Sequence, residues 1–318
     1  MGDDAAIVSS FPASMAHTDT IPQPKADPFI GNLRAIDGEV PIQGFMRLAQ
    51  TYGPIYQLDF FGHPLIVISS QALVNEVCDE KRFDKRISGA LKNIRDFAGD
   101  GLFTARTDEP NWAVAHRLLM PAFGPIGIRG MFDRMLDIAD QMLVRWERFG
   151  PANVIEVTED MTRMTLDTIA LCAFDYRFNS FYQTEMHPFV GAMVDALAEA
   201  GARTRRPEIA SKLLLRKRRA YEDDLALMRQ VADELIAERR RDPDAANKKD
   251  LLGIMLQGRD PVTGEGLSDE NIRYQMLTFL IAGHETTSGM LSFATYFLLK
   301  NPQVLAKARA EADAVLGD

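Results

Sequence analysis

The residues best suited to chemistry form one run, Ala282-Gly283-His284-Glu285-Thr286-Thr287-Ser288-Gly289. It places a carboxylate, three hydroxyls and an imidazole side by side between two glycines. Gly283 carries no side chain, so a flat ligand can come close to the backbone there. Thr286 can donate its hydroxyl back to the Ala282 carbonyl and loosen a helix locally. The expectation is a groove, with the Thr286 hydroxyl and the Glu285 carboxylate beside it, that holds a small polar molecule and passes protons to it. Other readings stay open. Two glycines can be tolerated in a packed helix at about 1 kcal/mol each relative to alanine, and Glu285 can be a buried salt-bridge partner. A zinc-protease reading of His284-Glu285 fails, because it needs a second histidine where Ser288 stands.

The element that must carry this run is a long helix. Ser268 is suited to its N-cap, Asp269 and Glu270 put negative charge in the first turn, and Asn301-Pro302 ends it after Lys300. Residues 269–300 extend on the order of 48 Å. The apolar residues Met276, Leu277, Phe279, Leu280, Ile281, Met290, Leu291 and Phe293 surround its axis, which predicts burial on most sides. Helical patterning also covers 42–51, 70–78, 85–97, 111–121, 127–147, 158–173, 187–200, 207–241 and 247–256. The runs 55–60 and 65–68, with a turn at Gly62-His63-Pro64, read as a hairpin. Residues 1–27, with Pro12, Pro22 and Pro24, read as an irregular arm. The fold class is mainly α with a small β appendage, in one domain over 28–318.

The sequence has 318 residues, 46% of them hydrophobic, and a net charge of −9. That charge argues against nucleic-acid binding, which needs a basic surface to displace counterions. Cys78 and Cys172 form neither a disulfide framework nor a metal-binding pair, as suits a reducing, cytoplasmic setting. The N-terminus, Met1-Gly2-Asp3-Asp4, has no basic segment before an apolar run and does not read as a secretory signal, and the apolar runs near 276–281 and 291–299 are too short to span a bilayer. The basic stretch Arg203, Arg205, Arg206, Lys212 and Arg216-Lys217-Arg218-Arg219 is either a solvated helix face or a mouth that steers an anionic substrate or an acidic redox partner.

Ala-Gly-x-Glu-Thr-Thr in a long central helix resembles the cytochrome P450 haem-thiolate monooxygenases. The stretch from Arg82 to Phe123, the segments Glu159-Asp160-Met161-Thr162 and Phe178-Asn179-Ser180-Phe181-Tyr182, and the run from Asp269 to Pro302 resemble one branch. That branch comprises the self-sufficient bacterial and fungal fatty-acid hydroxylases, whose haem domain is fused to a flavin reductase. The resemblance implies haem b as cofactor, with NADPH, FAD and FMN acting through the reductase, and O2 and an apolar small molecule as substrates. It implies proton delivery by Thr286 backed by Glu285. Leu102, Phe103, Trp112, His116, Phe279, Ala282, Gly283, Thr286 and Thr287 would meet the haem, Trp112 and His116 facing its propionates. Ala90, Leu91, Ile94, Ala98, Phe103, Leu197, Ile281 and Ala282 would line the substrate channel. For these apolar positions ordinary core packing remains an open alternative.

The sequence departs from the family pattern in three ways. The Phe-x-x-Gly-x-Arg-x-Cys-x-Gly loop that supplies the thiolate is missing, so no metal ligand is expected in this chain. The later Glu-x-x-Arg pair is missing too; Glu238-x-x-Arg241 and Glu270-x-x-Arg273 share its spacing but precede the central motif. The sequence therefore reads as the N-terminal portion of a haem domain, expected to expose part of its core. The alternative is a helical binding module without haem-thiolate chemistry. Finally, the hairpin offers only His63 to a substrate carboxylate, where the branch tends to carry an arginine and a tyrosine.

Overall fold

The computed structural model describes residues 20–36, 40–204 and 214–317. The start of the helix expected at 207, much of the basic stretch (Arg205, Arg206 and Lys212) and most of the N-terminal arm lie outside the described residues. The chain divides into two compact units, Met1–Asp84 and Lys85–Asp318.

In the first unit, β1 (Ile55–Phe60) and β2 (His63–Ile68) pair antiparallel, with Ile55 opposite Ile68 and Phe60 opposite His63. Phe61 and Gly62 form the turn with φ of 54° and 83°, the paired positive values a tight two-residue hairpin turn requires. The turn expected at Gly62-His63-Pro64 thus sits earlier. Gly62 takes the left-handed conformation freely, and its amide donates to Asp59 Oδ1 at 2.9 Å. His63 and Pro64 become strand residues. Helix α1 (Pro41–Tyr52) closes a small core of Leu48, Tyr56 and Leu58; the Tyr56 hydroxyl donates to the Phe45 carbonyl at 2.9 Å. Helix α2 (Gln71–Val77) follows, its N-terminus capped by Ser70.

The second unit is helical among its described residues. Its helices are α3 (Ala90–Ala98), α4 (Pro110–Leu119), α5 (Pro125–Phe149), α6 (Val157–Phe174) and α7 (Pro188–Arg203). They are followed by α8 (Leu215–Arg241), α9 (Leu251–Gln257), α10 (Asp269–Lys300) and α11 (Pro302–Leu316). The helix expected from 85 starts only at Ala90, because Gly89 at φ 56° breaks the chain direction before it. The helix expected from 247 starts at Leu251, where Asp250 accepts a hydrogen bond from the Gly253 amide at 2.8 Å. The expected cap of α10 is present: Ser268 Oγ accepts from the Asn271 amide at 3.2 Å.

The main core lies where α6, α7, α8 and α10 meet. Leu166, Ala170, Met193, Ala196, Met228, Ala232, Met276, Leu277 and Leu280 are fully buried there. Burial of α10 on most sides holds only for its first part. Its buried residues end at Ser288, while Met290 and Phe293 are 63% and 67% exposed. The apolar periodicity is the same in both halves; which half is covered depends on where α6, α3, α8 and α9 reach. No described helix is long and apolar enough to cross a membrane.

Two buried arginines tie the loops to this core. The fully buried Arg163 guanidinium donates to the carbonyls of Ser180, Gln183 and Thr184 at 2.5, 3.1 and 2.7 Å, and to Glu159 at 2.6 Å. Arg239 pairs in a two-pronged fashion with Asp250, both bonds 2.8 Å, and donates to the Phe174 carbonyl at 2.8 Å. That one cluster joins α8, the cap of α9 and the end of α6.

Candidate functional site

The run 282–289 stays helical throughout. Thr286 Oγ1 donates to the Ala282 carbonyl at 3.0 Å, as its spacing suggested. The helix absorbs this bond without a break, so the expected local loosening does not appear. Ala282, Glu285 and Thr286, at i, i+3 and i+4, share an exposed face, with Thr287 half-buried beside them. Glu285 is exposed on that face and forms no ion pair among the described residues.

The opposite face is fixed against α6. His284 is 2% exposed, and its Nδ1 lies 2.9 Å from the Leu280 carbonyl. A carbonyl oxygen only accepts, so the neutral ring carries its proton on Nδ1. Burial pushes the imidazole below its ordinary pKa. The His284 carbonyl accepts from Thr165 Oγ1 at 2.9 Å. A Cβ added to Gly283 would lie 2.6 Å from Ile169 Cγ1. The space beside Gly283 in that direction is therefore filled by α6, and the glycine is needed for helix–helix contact, a reason different from the ligand approach suggested by the sequence alone. Thr165 and Ile169 lie one turn apart on α6, far from 284 in sequence. No local pattern in the sequence points to them.

The loop after α3 is held by polar residues buried on α10. The Leu102 amide donates to Gln275 Oε1 at 2.9 Å, Gln275 Nε2 donates to Asn271 Oδ1 at 3.0 Å, and Asn271 Nδ2 donates to Asp100 Oδ1 at 2.8 Å. A Cβ on Gly101 would come within 2.5 Å of Thr278 Oγ1, so the loop lies directly on the helix. This presents Phe103 60% exposed and packs Leu102 against the main core. On α4 the Trp112 and His116 rings stack at 4.9 Å with an 18° interplanar angle, both half-buried. Lys85, which the sequence reading did not single out, connects the two features. Its Nζ donates to the Leu102 carbonyl at 2.8 Å and stands 5.5 Å from the centre of the Trp112 ring. Phe279 meets Phe123 at 5.7 Å.

Ala98 is buried within the main core, and Ile94, Leu102, Leu197, Phe279 and Ile281 pack against it half-buried. Ala90 and Leu91 are half-buried on the first turn of α3. Ala98, at 2% exposure, has the burial of a core residue; the others keep part of their surface open. His63 is exposed at the start of β2.

Neither cysteine sits in this constellation. Cys172 is buried on α6 with Sγ 3.8 Å from the Met131 carbonyl, and burial pushes its thiol up, which disfavours a thiolate. Cys78 is exposed at the end of α2. Among the described residues no three His, Cys, Asp or Glu side chains are placed to hold a metal ion.

Sequence comparison gives this geometry a family. The pattern of the cytochrome P450 family matches residues 21–318. A self-sufficient cytochrome P450 monooxygenase from Phanerodontia chrysosporium is 54% identical over 301 residues, covering 95% of this chain and 28% of that protein. The bifunctional cytochrome P450/NADPH–P450 reductase ascE of Acremonium egyptiacum is 52% identical, covering 94% of the chain and 28% of the relative. The bifunctional cytochrome P450/NADPH–P450 reductase 2 of Bacillus subtilis is 50% identical, covering 96% and 29%. The chain thus spans less than a third of the length of these relatives, and the helix motif, the loop beneath it and the Trp–His pair all lie within the matched span. The chain belongs to the cytochrome P450 family.

Proposed function

We propose that this chain forms the oxygen-side wall and the substrate channel of a haem-dependent monooxygenase. The reaction would insert one atom of O2 into an apolar substrate, a fatty acid or similar acyl chain. Electrons would come from NADPH through an FAD- and FMN-containing reductase, in the cytoplasm. The observation that carries this reading is the exposed Ala282–Glu285–Thr286 face of α10, to which Gln275 ties the loop bearing Phe103, with Lys85 linking that loop to Trp112. The relatives named for a fused reductase support the electron source.

The residues suit the distal face and acidic edge of haem b. Ala282 has a side chain small enough to let a flat macrocycle lie on α10, with Gly283 and Thr287 flanking it, and Leu102, Phe103 and Phe279 offer apolar contact. The Trp112 indole N–H, the His116 ring and the Lys85 ammonium can donate to carboxylates. When bound, haem would supply the iron chemistry on O2. A thiolate that would hold the haem iron fits neither cysteine present, since burial keeps Cys172 a thiol and neither cysteine lies in the ligand-loop pattern.

The chain's own residues would then work as follows. Thr286 donates its hydroxyl proton to the Ala282 carbonyl, which leaves the Oγ1 lone pairs facing outward to accept a proton-bearing water. Rotation about the Cβ–Oγ1 bond lets the same hydroxyl donate outward instead. The exposed Glu285 carboxylate, beside Thr286 on the same face, would accept hydrogen bonds from the water that refills that path. Ile94, Leu197 and Ile281 exclude water from the substrate side, and Phe103 shapes the channel end.

The test uses the full gene product. Reduction under carbon monoxide should give a thiolate-type absorption band; its absence would favour the haem-free binding module. Thr286→Ala should lower product formed per NADPH consumed by on the order of 10-fold, less than the roughly 100-fold or more that a positioned proton donor contributes to rate, because solvent water can still supply protons. Unchanged coupling removes the proton-delivery role.

A further inference from the structure

The bond between Leu102 and Gln275 belongs to a longer line of hydrogen bonds beneath the loop that carries Phe103. The Leu102 amide donates to Gln275 Oε1, Gln275 Nε2 donates to Asn271 Oδ1, and Asn271 Nδ2 donates to Asp100 Oδ1. Asp100 Oδ2 then accepts from Asn111 Nδ2, on the first turn of α4, at 2.7 Å. The line has only one polarity. A backbone amide can only donate at one end and a carboxylate can only accept at the other, so neither Gln275 nor Asn271 can turn its amide over without setting like groups face to face. Gln275 and Asn271 are 0% and 1% exposed, so bulk water does not replace a bond lost there.

Gln275 also marks where one stripe of α10 passes from covered to open. Gln275, Phe279, Ala282 and Thr286, at i, i+4, i+7 and i+11, share a face. Gln275 is buried under the loop, Phe279 is half-buried, and Ala282 and Thr286 are exposed. Seven residues put Gln275 on the order of 10 Å before Ala282 along the axis. Within 101–105 Phe103 is the one exposed residue, and the peptide groups on both sides of it are held by side chains from outside the loop. Besides the Leu102 amide on Gln275, the Leu102 carbonyl accepts from Lys85 Nζ at 2.8 Å and the Thr104 carbonyl from Arg95 Nη1 at 2.6 Å. Lys85 is exposed and the Arg95 side chain is 30% exposed, so water competes for both cations. The bond at Gln275 is the buried one.

Resting on the monooxygenase reading above, we propose that Gln275 is a positioning residue for Phe103 and, through that ring, for the substrate carbon that is oxidised. Gln275 seats the loop on α10 and so fixes how far along the helix Phe103 stands from Ala282 and Thr286. Without it the Leu102 amide loses its acceptor and Asn271 loses a donor, and the loop is freed from the helix at the residue next to Phe103. A displacement of about 1 Å is enough to spoil a reacting geometry, so a shifted ring brings a different carbon of a flexible chain to the reacting position. The same line ends on Asn111, the neighbour of Trp112, so one helix sets the loop before Phe103 and the turn that carries Trp112.

The experiment compares the full gene product with its Gln275→Met, Gln275→Glu and Phe103→Ala variants and with the double variant Gln275→Met/Phe103→Ala. Amide hydrogen exchange is read at residues 100–104, with α6 as an internal control. The products formed from dodecanoic acid are resolved by the position of the new hydroxyl. Gln275→Met should speed exchange at 100–104 by roughly 10-fold, with α6 unchanged, as a local opening does. It should change the ratio of the two most abundant positional products by about 3-fold, and that ratio does not depend on how much of the protein is folded. Gln275→Glu keeps an acceptor for the Leu102 amide but offers Asn271 no donor. Both effects should be smaller there and in the same direction, and this variant carries the test if Gln275→Met does not fold. In the Phe103→Ala background Gln275→Met should leave the product ratio unaltered, because no ring remains to be positioned. Unaltered exchange at 100–104 in the Gln275 variants overturns the seat. Faster exchange with an unaltered ratio, or a shift that persists without Phe103, overturns the role in choosing the carbon and leaves the monooxygenase reading standing. If the wild-type protein oxidises no dodecanoic acid, the proposed function fails for such chains and the role in choosing the carbon falls with it.

Discussion

At the scale of single residues, two glycines of the same helix have opposite roles. Gly283 lies where α6 crosses, and an added methyl would sit 2.6 Å from Ile169 Cγ1 and 3.0 Å from Ile169 Cβ. Either the helices separate or Ile169 leaves its rotamer. Gly283→Ala should therefore cost about 1–3 kcal/mol, the usual range for overpacking a core, read as a lower urea midpoint at constant slope. Part of that loss should return in a Gly283→Ala/Ile169→Ala double variant. Gly289 stands six residues later with nothing within 4 Å of a Cβ. Gly289→Ala should stabilise by about 0.5–1 kcal/mol, because alanine restricts the unfolded chain and favours helix. If both substitutions move the midpoint in the same direction, the α6–α10 contact as described is wrong. The sequence made both glycines visible; it could not distinguish them, since the distinction is made by a helix more than a hundred positions away.

At the scale of elements, polar contacts decide where helices begin and how they join. Asp250 is the cap of α9 and the partner of Arg239 on α8, with both side chains 4% exposed. Asp250→Ala removes the cap and leaves a buried guanidinium without its counter-charge. The expected cost is about 3–5 kcal/mol, measurable by urea denaturation; a cost below about 1 kcal/mol would mean that water reaches the pair. The caps at Ser268 and the stop at Asn301-Pro302 were legible in the sequence because they are local chemistry. The cap at Asp250 was missed because the segment before it, 245–250, has a composition that also suits a helix.

At the scale of the whole molecule, buried titrating groups give stability a predictable pH profile. Burial lowers the pKa of His284 and of His187. Their unfolded forms therefore take up protons first as pH falls, starting near the ordinary value of about 6.5. Stability contributed by the neutral rings is complete above that pH and is lost on acidification through it. The Tm should be level between pH 7 and 8 and fall below about 6.5. His284→Asn should flatten that slope, and an unchanged slope would show that His284 does not titrate as described. A second loss lies lower. Asp260 accepts two bonds from Arg117, both 2.6 Å, and the guanidinium, with Thr263 and the Val262 amide, holds its carboxyl well below the usual carboxylate range. Its contribution is present above the unfolded value of about 3.9 and disappears as pH falls further. Asp167 acts in the other direction: burial raises its pKa despite bonds from Ser180, so it costs stability near neutrality and regains it as it protonates.

The sequence by itself determined the fold class, the hairpin, the extent of α10 and the Thr286–Ala282 hydrogen bond, each through periodicity, capping or side-chain chemistry within a few residues. The family was legible as a resemblance, carried by the motif at 282–289 together with the segments from Arg82 to Phe123, 159–162, 178–182 and Asp269 to Pro302. Only the tertiary structure decided which face of α10 is open, which neighbour Gly283 must admit, that Lys85 links Phe103's loop to Trp112, and that Gln275 seats that loop on α10. These depend on pairings between segments distant in the chain. Many arrangements satisfy the same local pattern, and the one adopted is selected by how side chains on different helices pack and share hydrogen bonds. The central motif, read first as a groove cut into a helix, is an uninterrupted helix with two unlike faces: one fixed by Thr165 and Ile169, the other presenting Ala282, Glu285 and Thr286.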